Sequence, residues 1–308
     1  MWWLVACNEF GLDPTDPPPP DARVVVTDTF EQAPIAPVDL LFVVDDTSSM
    51  GQEQQALASA FAPLTQGLLT SGVSWQIGVV AGTEAGDGRL LGAPYVLTGA
   101  TSDARELFSE RLLVGTGGRP PEAALYAATL ALDEARDGGV NVGFRRPDAS
   151  LHVVFVSDDD DHSDGLLGPE PVATFLARLE LESGADRSVV VSAVAGDAVL
   201  GCTSERGAAR PGARYLELVE ATGGVFESIC GVSFLGLAGR LLEASVDPAT
   251  RFALSQVPAT GTVHVEVDGV RAESTSIVLE QGTAWLVFAS PPRVGSFIEV
   301  TYVVLVTG

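Results

Sequence analysis

Three oxygen-bearing side chains, Asp45, Thr47 and Ser49, alternate along one short stretch, and a fourth, Asp158, lies far downstream. Each group breaks an apolar run: Leu40-Leu41-Phe42-Val43-Val44 precedes the first and Val153-Val154-Phe155-Val156 precedes the second. Alternation lets the first three oxygens point into one small volume. A set of anionic and neutral hard oxygens, without imidazole or thiolate, suits Mg²⁺, with Mn²⁺ or Ca²⁺ as alternatives. Asp, Ser and Thr also satisfy the free amides of a helix N-terminus, so the first stretch alone reads equally as a cap. Asp158, at the end of a second buried strand, favours the metal reading.

The elements that would position these residues follow from periodicity. Residues 39–44, 75–81, 151–157 and 188–195 are apolar runs of strand length, with a shorter strand at 224–229. Between them lie helical patterns at 52–69, 103–113, 122–136, 171–182, 212–221 and 234–244. On the first helix Leu57, Phe61, Leu64 and Leu68 form one stripe, and Pro63 predicts an interruption near Ala62. Strands alternating with helices predict an α/β fold, a doubly wound, mostly parallel sheet with helices on both faces over residues 36–246. Ligands in such sheets bind at the carboxyl ends of the strands, where Asp45 and Asp158 fall. From residue 247 to 308 the pattern turns to short strands of period two, as in Val263, Val265 and Val267 before an Asp268-Gly269 turn. These residues predict a small antiparallel, β-sandwich-like domain.

The formal charge is −24, and all 17 basic residues are arginine. Such a surface repels phosphate backbones and anionic bilayers and attracts divalent cations. Nucleic acid is therefore not an expected partner. Residues 1–7 end in Leu4-Val5-Ala6-Cys7, which reads as the remnant of a bacterial lipoprotein signal with Cys7 as the acylated residue; the apolar core is short, which a mis-assigned start codon explains. Residues 8–35, with Pro17 to Pro20, read as a proline-rich spacer, and 22–30 as either a strand or the end of that arm. The expected location is the cell envelope, with membrane contact only through a lipid at Cys7. In an exported chain Cys202 and Cys230 would pair and close a loop of about 28 residues, worth roughly 3 kcal/mol.

Asp45-Asp46-Thr47-Ser48-Ser49-Met50 resembles the first metal motif of von Willebrand factor A domains, with Thr47 where that family usually has Ser. The likeness extends through 141–149, Val156-Ser157-Asp158-Asp159-Asp160-Asp161, Arg214-Tyr215 and 221–226, and is similar to secreted or lipid-anchored bacterial members. The resemblance implies a metal-ion-dependent adhesion site of Asp45, Thr47, Ser49 and Asp158. Hydroxyls would bind the ion directly and carboxylates largely through water, leaving one position for a partner's acidic side chain. The family's remaining loop supplies a Thr, but the register puts Arg119 there; Thr116 is the preferred substitute and Glu122 another donor. Asp159, Asp160 and Asp161, followed by His162 and Asp164, read as a solvated loop or a secondary acidic site.

The implied function is a non-enzymatic module that binds a partner protein's acidic side chain through a divalent ion. One alternative is an adaptor, intracellular or in the envelope, that works with a separate ATPase. The other is a metal-dependent hydrolase with Asp159 or His162 as base; the sequence contains no phosphate loop, nucleophile elbow or paired-His zinc motif to support it.

Overall fold

The computed structural model describes residues 22–32, 36–83, 87–183, 188–234, 236–245, 251–280, 282–293 and 295–306. Cys7 and most of the proline-rich spacer lie outside them. Two compact units emerge, Ile35–Pro248 and a second assembled from Met1–Pro34 with Ala249–Gly308.

In chain order, β1 (Ala22–Glu31) precedes β2 (Val38–Val44), α1 (Gly51–Ser71), β3 (Trp75–Ala81), β4 (Leu97–Thr98), α2 (Ala104–Arg111) and α3 (Ala124–Asp133). Next come β5 (Ser150–Val156), α4 (Asp164–Leu167), α5 (Pro171–Glu180), β6 (Val189–Ala195) and the short pair β7 (Cys202–Thr203) and β8 (Ala208–Ala209). The larger unit closes with α6 (Ala213–Thr222), β9 (Phe226–Ser228) and α7 (Leu237–Ser245). Its six-stranded sheet has the order β4-β3-β2-β5-β6-β9, and only β4 runs antiparallel. Taken by appearance in the chain, the strands stand third, second, first, fourth, fifth, sixth. The order therefore reverses between β2 and β5, the crevice where doubly wound sheets bind ligands.

β2 shows why helices cover both faces. Leu40, Phe42 and Val44 pack into a core with Leu57, Phe61, Leu64, Leu68, Phe108 and Leu241, from α1, α2 and α7. Leu41 and Val43 pack oppositely, with Leu125, Leu132, Phe175 and Leu218 from α3, α5 and α6. The ring of Phe42 meets Phe108 edge-on at 4.9 Å between centroids, an arrangement aromatic pairs favour. The expected break at Pro63 does not occur, and α1 runs from Gly51 to Ser71. Pro63 is exposed, so water can take the carbonyl bond it forfeits, while buried neighbours Phe61, Ala62 and Leu64 hold the backbone helical. The Cys202–Cys230 disulfide is present, with a sequence separation of 28.

At the amino edge of the sheet, buried Asp39 accepts hydrogen bonds from Arg145 Nη1 (3.0 Å), Arg146 Nε (2.8 Å) and the Arg146 amide (2.8 Å). Asn141 Nδ2 donates to the carbonyls of Gly88 and Ala131. The 141–149 stretch thus clamps the sheet edge opposite the acidic strand ends.

The smaller unit adds β10 (Arg251–Ala253), β11 (His264–Val267), β12 (Val270–Arg271), β13 (Thr275–Glu280), β14 (Thr283–Phe288) and β15 (Phe297–Val306). Its sheets, β1-β15-β11-β12 and β10-β14-β13, enclose Phe252, Val265, Leu286, Phe288, Ile298, Val300 and Tyr302. Asp268 and Gly269 both have positive φ, as the β11–β12 turn requires. Assigning residues 8–35 wholly to a spacer needs correction. Residues 22–31 form β1, which pairs with β15 over its full length because its β-branched run lays Val26 and Phe30 against this core.

Candidate functional site

The ends of β2 and β5 are drawn together by their backbones. The Asp45 amide donates to the Val156 carbonyl (2.9 Å), and Gly82, just past β3, donates to Val44 (2.8 Å). Asp45 is buried at the end of β2. Its Oδ1 accepts the amide (2.8 Å) and hydroxyl (2.7 Å) of Thr47, and its Oδ2 accepts the hydroxyl of Ser157 (2.7 Å). Thr47 Oγ1 lies 3.2 Å from Ser49 Oγ. Three of the sequence-derived donors, Asp45, Thr47 and Ser49, therefore form one connected cluster. Burial pushes the Asp158 carboxyl up to about 6; a hydrogen bond from Ser49 opposes this, and Asp45, Glu53 and Glu122 reinforce it by repulsion. Asp158 belongs electrostatically to the same cluster.

Two further elements reach it. Gln54 on α1 donates to the carbonyls of Asp45 (2.9 Å) and Gly115 (2.8 Å), and the Gly118 amide donates to Asp46 (2.8 Å), tying the 115–118 loop to the first stretch. A Cβ at Gly118 would lie 2.5 Å from the Asp46 carboxyl carbon, so a larger residue there would push that carboxylate aside. In that loop Thr116 is exposed and, among the described residues, makes no side-chain hydrogen bond; Arg119 is exposed. Glu122 is only 5% exposed. Burial raises its pKa, with Asp45 and Asp159 repelling its charge and His162 opposing them. Glu122 is the acid just past this loop whose charge Asp45 repels, while Thr116 packs beside Gly51.

Sequence reasoning missed Ser157 and Glu53. A hydroxyl one residue before Asp158, and an acid one helical turn after Ser49, were the available signals. Glu53 is 4% exposed, and its Oε2 is buried without a partner among the described residues, as is Asp46 Oδ1. Among the described residues, no arginine lies within ion-pair distance of Asp45, Glu53, Glu122 or Asp158. Anionic oxygens so placed, beside two hydroxyls, are a donor set that fits a hard divalent cation.

The acidic run after β5 does not act as one group. Asp160 Oδ1 accepts the amides of Arg214 on α6 (3.1 Å) and Asp161 (3.0 Å). Asp161 is fully buried, and its Oδ1 accepts the Leu125 amide on α3 (2.9 Å) and the Ser163 hydroxyl (2.8 Å). Ala123 and Gly212, which begin those helices, carry no capping group, so two carboxylates from another loop supply it. The solvated-loop reading therefore fails for these two residues. Asp164 takes both terminal nitrogens of Arg214 (2.6 and 2.7 Å), while Asp159 stands near Glu122 and His162.

No helix of the described residues is long and apolar enough to cross a membrane. No protein-family model and no curated protein matches the chain. Among solved structures, the pilus adhesin SpaC of Lactobacillus rhamnosus GG is similar at 10% identity and a TM-score of 0.41, covering 95% of this chain and 42% of that one. A von Willebrand factor type A structure from Catenulispora acidiphila is similar at 15% identity and a TM-score of 0.39, covering 95% and 67%. Proximal thread matrix protein 1 of the mussel byssus is similar at 15% identity and a TM-score of 0.40, covering 74% and 51%. The chain thus spans less than half of the pilus adhesin.

Proposed function

We propose that the larger unit is a von Willebrand factor A-type binding module. It holds a divalent cation, Mg²⁺ in the first instance, with Asp45, Thr47, Ser49 and Asp158, and presents it to an acidic side chain of a partner protein. Thr116, in the loop tied to Asp46 and beside Gly51 at the start of α1, is the remaining donor. The observation that carries this reading is the unneutralised acid cluster at the strand-order reversal, with Asp46 Oδ1 and Glu53 Oε2 buried and unpartnered. When bound, the ion supplies positive charge to these carboxylates and an electrophilic centre for an external one. Thr47 and Ser49 contribute neutral oxygens, and a shell of this kind leaves the ion able to accept a further acid. Ser157 and the Thr47 amide fix the Asp45 carboxylate in place. The proposed setting is the cell envelope, with Cys7 lipid-anchored.

The test is thermal unfolding with and without millimolar Mg²⁺ or Mn²⁺. A ligand that binds only the folded state at about 100 times its Kd stabilises it by about 2.7 kcal/mol. Wild-type protein is expected to show this rise in Tm and Asp45→Ala to lose it. A wild-type Tm indifferent to both metals would overturn the reading. Capture of a partner from native envelope that EDTA abolishes would identify the ligand.

A further inference from the structure

Beside the Asp45 cluster stands a group of donors with different chemistry. Glu122, Asp159 and His162 each offer a ligand atom, and the three atoms lie within 4.8 Å of one another. The backbone builds this group, because the His162 amide donates to the Glu122 carbonyl at 2.7 Å and fastens the two loops together. Asp159 Oδ2 is held by Arg210 Nη1 (2.7 Å) and Oδ1 accepts the Asp160 amide (2.9 Å). Oδ1 keeps a lone pair and lies 3.8 Å from His162 Nε2, too far for a hydrogen bond.

Thr83 supplies an independent pointer. It is 1% exposed, and its Oγ1 has no partner among the described residues. Thr83 and Glu122 oppose each other in an antiparallel bridge, beside the Ala123 amide's bond to Gly82 (3.0 Å). Directly opposed residues in such a pair project their side chains to the same side, with Cβ atoms about 4.5–5.5 Å apart. The orphaned hydroxyl therefore faces the side of Glu122.

The geometry points to a second cation site, for a divalent ion of the Zn²⁺ class, held by Glu122, Asp159 and His162 with Thr83 as a neutral fourth donor. Imidazole selects such ions over Mg²⁺ and Ca²⁺. Ligand atoms bound tetrahedrally at about 2.0–2.2 Å stand about 3.3–3.6 Å apart, so the widest pair has to close by up to about 1.5 Å. His162 is exposed and can swing that far. This site takes nothing from Asp45, Thr47 or Ser49 and does not rest on the carboxylate-bridging reading.

The chain has three histidines, which makes an imidazole NMR titration of the whole protein with Zn²⁺ decisive. His152 is buried between two serine hydroxyls, and His264 is an exposed residue beside Glu266. His162 is expected to shift to saturation, with the other two unmoved and Mg²⁺ without effect on it. By calorimetry, His162→Ala should weaken Zn²⁺ binding about tenfold or more, a loss typical of disturbed metal sites, with the metal-free Tm unchanged. Asp45→Ala should keep the His162 shift while losing the Mg²⁺ response, so the two sites fail separately. A His162 signal unmoved at millimolar Zn²⁺, or wild-type Zn²⁺ affinity in His162→Ala, would overturn the proposal.

Discussion

His152 lies on β5 with both ring nitrogens engaged, Nδ1 at 2.7 Å from Ser245 Oγ and Nε2 at 2.8 Å from Ser192 Oγ. The Ser245 hydroxyl donates to the Leu241 carbonyl, so the ring must donate to it from Nδ1. Ser192 accepts the Val225 amide, which leaves its own proton for Nε2. This network gives the neutral ring a partner at each nitrogen, and burial pushes the pKa down to about 3. In the unfolded chain the same group titrates near 6.5. Between those values the unfolded state binds the extra proton, so this residue's share of stability is full above pH 6.5 and is lost as pH falls toward 3. Denaturant unfolding in EDTA at pH 7, 6, 5 and 4 should show wild type losing up to about 1.4 kcal/mol per pH unit more than His152→Gln within that window. Parallel pH profiles would show that the ring is not held neutral.

Two helices owe their N-termini to the loop after β5, and this sets an expectation at the element level. Asp161→Ala strips the Leu125 amide and the Ser163 amide and hydroxyl of their acceptor. A loss of about 1–3 kcal/mol in unfolding free energy is expected, with the Mg²⁺ response retained; loss of that response would make Asp161 part of the cation site. The same loop shows what sequence could and could not disclose. Strands β2 and β5 were legible because a parallel strand buried on both faces is a continuous apolar run, and the acids ending them were legible as a pair, because a helix cap explains one of them but not both. The stripe Leu57, Phe61, Leu64 and Leu68 on α1 was legible by helical period. The fates of Asp160 and Asp161 were not, since their partners on α6 and α3 are set by tertiary approach. Glu122 was legible only as an oxygen near the expected position, because its burial depends on the bridge to Thr83. β1 was ambiguous because its pairing strand lies at the far end of the sequence.

The whole molecule is a β unit interrupted in sequence by the α/β unit, which brings its own two-sided core. Ile35–Pro248 expressed alone is expected to unfold in one cooperative transition and to keep the Mg²⁺-dependent rise in Tm. A fragment that gives no cooperative transition would show the β unit to be indispensable. The β unit has the opposite predicament. Its ten-residue β1 forms an edge of its sheet and pairs with β15 alone, from Ala22 opposite Val306 to Glu31 opposite Phe297. Chains emerge amino end first at about 5–20 residues per second, so β1 waits tens of seconds for the strand it needs. Throughout that interval a valine-rich ribbon with open amides and carbonyls is available to any other nascent copy whose β15 has already emerged. An edge strand that waits so long for its partner is the condition under which copies exchange strands, so synthesis at high copy number is expected to raise the share of dimer seen by size-exclusion chromatography.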